Sequence, residues 1–236
     1  MTERNLDAVV REINALPEDW HGCGSMVPEV IHAIADHVSR LGDVRRTAET
    51  GSGKTTVLFS HLSPHHTVFA LDCARSVSCV RESPLCRIEA VHLVDGPTQL
   101  TLPRHEFTEP LQVALIDGPH GYPFPDLEYY HLYPHIAPGG LLLIDDTNIP
   151  SIGRMRDIIA ADDMFEPIDT VADTAFLRRT SAPLFDPLGD GWWLQAFNKP
   201  YFARLQRRSR AVRLLSRIVP AGLVRSIPQV LKRRLP

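Results

Sequence analysis

Glu49-Thr50-Gly51-Ser52-Gly53-Lys54-Thr55-Thr56 is the stretch whose reading decides the fold. Two glycines one residue apart let the backbone turn tightly and come close to a ligand, and a helix starting behind them would offer it free N–H groups. Gly53-Lys54-Thr55 supplies the end of a phosphate-binding G-x-x-x-x-G-K-[ST] loop, and Asp145/Asp146 after the apolar run Leu141–Ile144 could hold its Mg²⁺. The residue five before Gly53, however, is Ala48, and Glu49 would place a carboxylate in the phosphate nest. Like unit charges ~4 Å apart repel by about 4 kcal/mol at an effective dielectric of 20. An acid at a strand end followed by a glycine turn suits a cationic ligand better.

Outward from this turn, short apolar runs alternate with helical stretches. Thr67–Asp72, Ile88–Asp95, Leu111–Asp117 and Gly140–Asp146 read as strands, each ending in an acid. Helices are predicted near 54–62, 74–82, 124–134 and 151–161, after two opening helices at 5–15 and 27–41. This rhythm predicts an α/β fold: a doubly wound, mostly parallel sheet with helices on both faces. Asp43–Glu49 must then be the first strand by position, although its pattern is polar. Val171–Arg179 and Gly191–Asn198 read as a closing C-terminal antiparallel strand pair. The division expected is a Rossmann-like domain over 1–198, with helical N-terminal cover, and a tail over 199–236.

The order of motifs resembles that of class I S-adenosylmethionine-dependent methyltransferases over roughly residues 44–198, most nearly the small-molecule O-methyltransferases. Glu49-x-Gly51-x-Gly53-x-Thr55 is similar to the family's first motif, with Thr55 at its third small position. Asp72, about 20 residues on, stands where the ribose hydroxyls are bound in nucleotide-binding βαβ units. Asp95 stands where the family often places a residue beside the adenine. Leu111–Asp117 resembles the fourth-strand motif, and Pro138-Gly139-Gly140-Leu141 the turn into the fifth strand. The resemblance implies S-adenosylmethionine as cofactor, held by Glu49, Gly51, Gly53, Thr55, Asp72, Asp95 and Asp117. The Asn/Asp-Pro-Pro-aromatic signature of base N-methylation is missing, and Asp117-Gly118-Pro119-His120 stands in its place. A small-molecule hydroxyl is therefore the expected acceptor, with a P-loop NTPase as the rival enzyme class and a non-catalytic domain acting through its basic tail as the other alternative.

Methyl transfer to a hydroxyl needs alignment of the acceptor with the sulfonium and removal of a proton. His120, two residues past a strand end in a Gly/Pro-rich loop, is the candidate base, and Asp117 its neighbour at the transfer site; a capping or substrate-orienting histidine is the bland alternative. Asp117, Asp145 and Asp146, with Asn148, form a carboxylate group suited to Mg²⁺ or another divalent cation, which would make His120 an auxiliary. The alternative is that Asp117 holds the methionine amino group while Asp145 and Asp146 cap the next helix. Trp20-His21-Gly22, Trp192-Trp193 and Tyr122, Phe124, Tyr129 and Tyr130 could line an acceptor pocket or simply pack. His61/His65 and His131/His135 have metal-like spacing without the acid of an H-E-x-x-H motif, and solvated faces fit them better. Lys54, outside the phosphate reading, is expected to be solvated.

The 236 residues are 44% hydrophobic and 22% charged, enough for a large core. Four cysteines without a C-x-x-C pair argue against a zinc knuckle or a disulfide framework and are expected to be reduced. No apolar run nears the roughly 20 residues of a membrane span, and no secretory signal pattern opens the sequence, so a cytoplasmic enzyme is expected. The formal charge of −3 conceals an asymmetry: residues 199–236 hold eleven Lys and Arg and no acid, leaving −14 on residues 1–198. Phe202, Leu205, Val212, Leu215 and Val219 recur at near-helical spacing among arginines, which predicts a basic amphipathic helix. Its expected partners are the acidic body of the chain, an acidic partner or an anionic membrane surface. Nucleic acid ranks last, because few aromatics interleave to stack bases.

Overall fold

The computed structural model describes residues 5–24, 26–185 and 191–218, with only the backbone for 211–218. Two compact units divide the chain, Met1–Leu184 and Phe185–Pro236. The first runs α1 (Leu6–Asn14), α2 (Pro28–Ser39), β1 (Arg46–Thr50), α3 (Lys54–Leu62), β2 (His65–Ala70), α4 (Ser76–Glu82), β3 (Val91–Asp95), α5 (Thr98–Thr101), β4 (Leu111–Ile116), α6 (Phe124–Leu132), β5 (Ile136–Ile144), α7 (Pro150–Ala161), β6 (Phe165–Val171) and β7 (Thr174–Arg179). The sheet order is β3-β2-β1-β4-β5-β7-β6. The first five strands are mutually parallel, and β7 is antiparallel to both β5 and β6. The chain winds outward from β1 to β3 and then crosses back to β4, so strand order reverses between β1 and β4. A ligand crevice is expected beyond the carboxyl ends at that reversal.

Period-two alternation in the central strands feeds both faces. Val113, Leu115, Leu141, Leu143 and Phe176 pack with α1, α2 and α3, while Ala114, Ile116, Leu142, Ile144 and Leu177 pack with α6 and α7. The doubly wound sheet is as the sequence predicts. Its polar first strand spans Arg46–Thr50, shifted from the expected Asp43–Glu49, with Asp43 in the preceding turn pairing Arg45. A polar strand can be central here because its neighbours answer it: Thr47 hydrogen bonds with His66 Nδ1 at 2.8 Å, and Thr50 donates to Glu128.

The closing pair needs correction. It consists of β6 and β7, joined by a two-residue turn with Ala172 at φ +47°, whereas residues 191–198 form a turn and a short 3₁₀ segment, Ala196–Asn198. β6 is an edge strand with a register shift between Pro167 and Asp169, so its outward polar residues and proline mask it in the sequence. In the second unit the predicted basic helix is α8 (Lys199–Ile218). The expected tail beyond it, Val219 to Pro236, lies outside the described residues.

Leu143 is fully buried on β5 between β4 and β7. Leu143→Ala should cost about 2–5 kcal/mol. Urea unfolding should show a lower midpoint with an unchanged slope.

Candidate active site

The link between β1 and α3 is only Gly51-Ser52-Gly53. Gly51 has φ +84°, donates its N–H to the Phe69 carbonyl at 3.0 Å, and lies so close to β4 that a Cβ would overlap the Asp117 carbonyl oxygen. Only glycine meets both demands. A Cβ at Gly53 would come within 2.6 Å of His21 Nε2. The turn thus brings the ends of β1 and β4 together, with the first turn of α3 opening onto the space above them.

That space is a cavity of about 560 Å³, a size typical of small-molecule sites. Gly51–Thr55 form one wall; Phe69, Leu71 and Cys73 continue it past β2, and Gly96–Gln99 past β3. Asp117–His120 beyond β4 and Asp145 and Asp146 beyond β5 form the polar end, and His21, Cys23, Gly24 and Met26 contribute the N-terminal side. The lining carries three carboxylates and one lysine.

At the polar end His120 Nε2 lies 2.8 Å from Asp146 Oδ2 and 3.6 Å from Asp117 Oδ1. Asp146 takes a left-handed φ of +53°, which aspartate tolerates better than most residues. Burial pushes the Asp117 carboxyl up to about 7, opposed by the nearby His120 imidazole and reinforced by Asp145 and Glu49. Asp117 in turn, aided by Asp146, raises the imidazole above its usual value. Asp145 is also raised by burial, and one of its oxygens is occupied by the Thr174 hydroxyl. Among the described residues, Asp117, His120 and Asp146 are the one group of three possible ligands, their atoms lying within 4.8 Å of one another. The expected carboxylate set is therefore modified: His120 enters it, while Asp145 leans to Thr174 and Asn148 donates to Asp173 at 3.0 Å.

The remaining predicted positions divide. Gly51, Gly53 and Thr55 line the cavity. Glu49 does not form an acidic rim: it is fully buried, accepts from the Thr56 hydroxyl and lies 3.2 Å from His66 Nε2. Strand alternation explains this, since Glu49 points to the α3 side while the crevice opens past the strand end. Asp72 is turned to α4, accepting from the Ser78 amide at 3.1 Å and the Ser78 hydroxyl, which lower its pKa. Its neighbours Leu71 and Cys73, rather than its carboxylate, line the cavity. Asp95 ends β3 beside the lining residues Gly96 and Pro97.

Lys54 corrects another expectation. It is buried at 7% exposure and donates to the Leu16 carbonyl at 3.1 Å, and desolvation lowers its pKa. With Lys54 so engaged and only three residues between strand and helix, a phosphate-wrapping loop has no support. Tyr129 packs in the core against Tyr133, Tyr122 and Tyr130 are exposed, and none of them lines the cavity. His61 bonds the Leu85 carbonyl from α3, while His65 begins β2, so their spacing is not helical. All four cysteines are free.

Sequence reasoning missed Glu128. On α6 it is 1% exposed and accepts at 2.8 Å from the Thr50 hydroxyl, which accepts in turn from the Asp117 N–H at 3.1 Å. A Cβ at Gly118 would overlap its carboxylate. Glu128 therefore positions the backbone of the Asp117–Gly118 loop from below. Its signal was an acid at helical spacing with the buried Pro125 and Leu132.

With this geometry in hand, the chain can be set beside known proteins. Residues 48–147 match a family model described as a methyltransferase domain. No curated protein matches the sequence. Among solved structures, the O-methyltransferase from Bacillus cereus in complex with SAH superposes with a TM-score of 0.54 at 18% identity, over 74% of this chain and 90% of that one. TomG from Streptomyces achromogenes, an O-methyltransferase involved in tomaymycin synthesis and bound to SAM, gives 0.53 at 15% identity, over 77% and 92%. MycE of the mycinamycin biosynthetic pathway, in complex with Mg, SAH and mycinamycin VI, gives 0.51 at 14% identity; it is matched over 79% of this chain and only 58% of its own length. At these identities the likeness is one of fold.

Burial pushes the Glu128 carboxyl up to about 7, against the pull of the Thr98 and Thr50 hydroxyls. A raised carboxyl favours the fold in its neutral form, so this stabilisation is complete below about pH 4.5 and is lost as pH rises through 7. Glu128→Gln keeps the Thr50 bond and cannot ionise. Above pH 7 it should be more stable than the parent by on the order of 3 kcal/mol, a gap that urea unfolding should show closing toward pH 5.

Proposed function

We propose that the chain, whose residues 48–147 match a methyltransferase-domain model, transfers a methyl group from S-adenosylmethionine to a hydroxyl oxygen of a small molecule. The observation that carries this reading is a cavity at the β1/β4 reversal with a glycine turn on one side and three carboxylates on the other. The cavity fits the donor in size, and its charge suits a ligand with a sulfonium and an amino group. Bound there, S-adenosylmethionine supplies an electrophilic methyl group. Gly51 and Gly53 let the backbone approach it, Asp117 and Asp145 face its positive groups, and the wall from Leu71 to Pro97 takes the adenosine. Asp72 and Asp95 retain their expected ribose and adenine roles only through movement or water, because neither carboxylate lines the cavity.

The residues at the polar end handle the acceptor proton. As the C–O bond forms and the C–S bond breaks, the hydroxyl proton passes to the coupled Asp117–His120 pair. Asp117, pushed up to about 7, is matched to accepting a proton near neutrality. His120, held by Asp146, stabilises the charge on the pair. Water exclusion falls to the loop carrying His21 and Met26.

A second reading of the same residues rests on the convergence of Asp117, His120 and Asp146. Two carboxylates and an imidazole would hold a divalent cation, Mg²⁺ or a borderline metal such as Mn²⁺ or Zn²⁺. The cation would favour the ionised acceptor and relieve the Asp117–His120 pair of the proton.

Calorimetry should show S-adenosylhomocysteine binding and no ATP·Mg binding. The opposite result overturns the assignment. Gly51→Ala should abolish S-adenosylhomocysteine binding, whereas His120→Ala should leave it within a few-fold and lower methylation of hydroxylated acceptors by roughly 10²–10⁴. Exhaustive EDTA treatment separates the two readings of the polar end: full surviving activity removes the cation, and loss restored by one added metal establishes it.

A further inference from the structure

The second unit has a chemistry of its own, independent of the methyl-transfer reading. α8 is twenty residues long, about 30 Å. Its arginines Arg204, Arg207 and Arg210 are exposed, and no acid occurs anywhere from Lys199 to Pro236. Around the helix at 100° per residue, Tyr201, Phe202 and Leu205 share one arc, a spacing that the sequence carries on to Val212 and Leu215. Phe202 and Leu205 are half-buried, in keeping with that arc.

At the foot of the helix is an aromatic cluster. Trp192 meets Phe202 edge-on at 5.7 Å and lies 5.9 Å from Trp193 and 6.2 Å from Tyr201. Three apolar side chains here are exposed: Trp193 at 40%, Leu194 at 68% and Tyr201 at 59%. Trp and Tyr are the residues that settle at the headgroup level of a bilayer, and arginines beside them meet lipid phosphates.

Other occupants fit less well. A protein groove reads a helix through dense i, i+3, i+4, i+7 anchors, but after Phe202 and Leu205 these positions are Gln206 and Ser209. A nucleic acid would use the arginines and leave the apolar arc and Leu194 without a role. A lipid surface uses both, and needs no matched register.

We propose that residues 191–218 form an interfacial anchor for an anionic phospholipid membrane, with Trp193, Leu194 and Tyr201 entering the headgroup region and the arginines of α8 engaging lipid phosphates. The anchor lies on the membrane rather than through it, since no helix among the described residues is long and apolar enough to cross one.

Flotation of the full-length chain with vesicles tests this. Binding is expected to phosphatidylcholine vesicles containing phosphatidylserine and not to phosphatidylcholine alone, with a roughly tenfold weakening at high salt. Brominated lipids should quench tryptophan fluorescence in the parent. A Trp193→Ser/Leu194→Ser double variant and an Arg204→Gln/Arg207→Gln/Arg210→Gln triple variant, all at exposed positions, should each lose most binding with unchanged circular dichroism. The proposal is overturned by no vesicle binding, by equal binding to both vesicle types, or by tighter binding to a DNA duplex than to anionic vesicles. It also fails if the serine variant binds as well as the parent, since the aromatic foot would then play no part.

Discussion

The structure depends on the absence of a side chain at Gly51. The backbone at the end of β1 and the carbonyl of Asp117 at the end of β4 are so close that any Cβ would overlap that oxygen, and the positive φ would strain any other residue. This contact sits where strand order reverses. Because the two strand ends meet here and the chains leaving them diverge, the crevice opens above the contact. The loop after β4, the first turn of α3 and the N-terminal loop around His21 are all placed by reference to it.

Below the crevice, polar groups replace the hydrophobic packing that a central strand usually has. Thr50 links Asp117 to Glu128, and Glu49 is braced by Thr56 and His66. Each of these groups costs desolvation and recovers it only through its partners. Glu128 shows the balance: burial raises its pKa to about 7, yet its carboxylate fixes both Thr50 and the space that Gly118 leaves. Such a network spends some stability to hold one geometry at the site, a common trade where loops carry chemistry.

The sequence made the sheet legible because its central strands carry strong period-two patterns on apolar residues, Leu111–Ile116 and Leu141–Ile144 above all. The glycine turn was legible because φ and close approach leave few residue choices. Less legible was whatever depends on side-chain direction. Glu49 looked like a rim acid from its place in the motif, but one residue of strand alternation turned it inward, and the carboxylates facing the cavity are Asp117, Asp145 and Asp146 instead. Lys54 looked solvated because a first-turn lysine usually is; the Leu16 carbonyl, 38 residues earlier, holds it down. β6 escaped detection because an edge strand with Pro167 and three acids or hydroxyls shows no alternation, and Trp193 and Phe197 imitated a strand that tertiary packing did not form.

Charge ties these levels together. The motif reading set Glu49, Asp72, Asp95 and Asp117 at a cationic donor, whereas the acids that line the cavity stand at the ends of β4 and β5. The change strengthens the physical case. A single exposed carboxylate is screened by solvent, whereas in this concave wall burial, reinforced by neighbouring carboxylates, raises Asp117 and Asp145. A carboxyl raised to about 7, as Asp117 is, is a good proton acceptor near neutrality, which is the property the proposed transfer uses. Residues 199–236 carry the opposite balance, eleven Lys and Arg with no acid. Within the crevice wall the one lysine, Lys54, is tied to the Leu16 carbonyl.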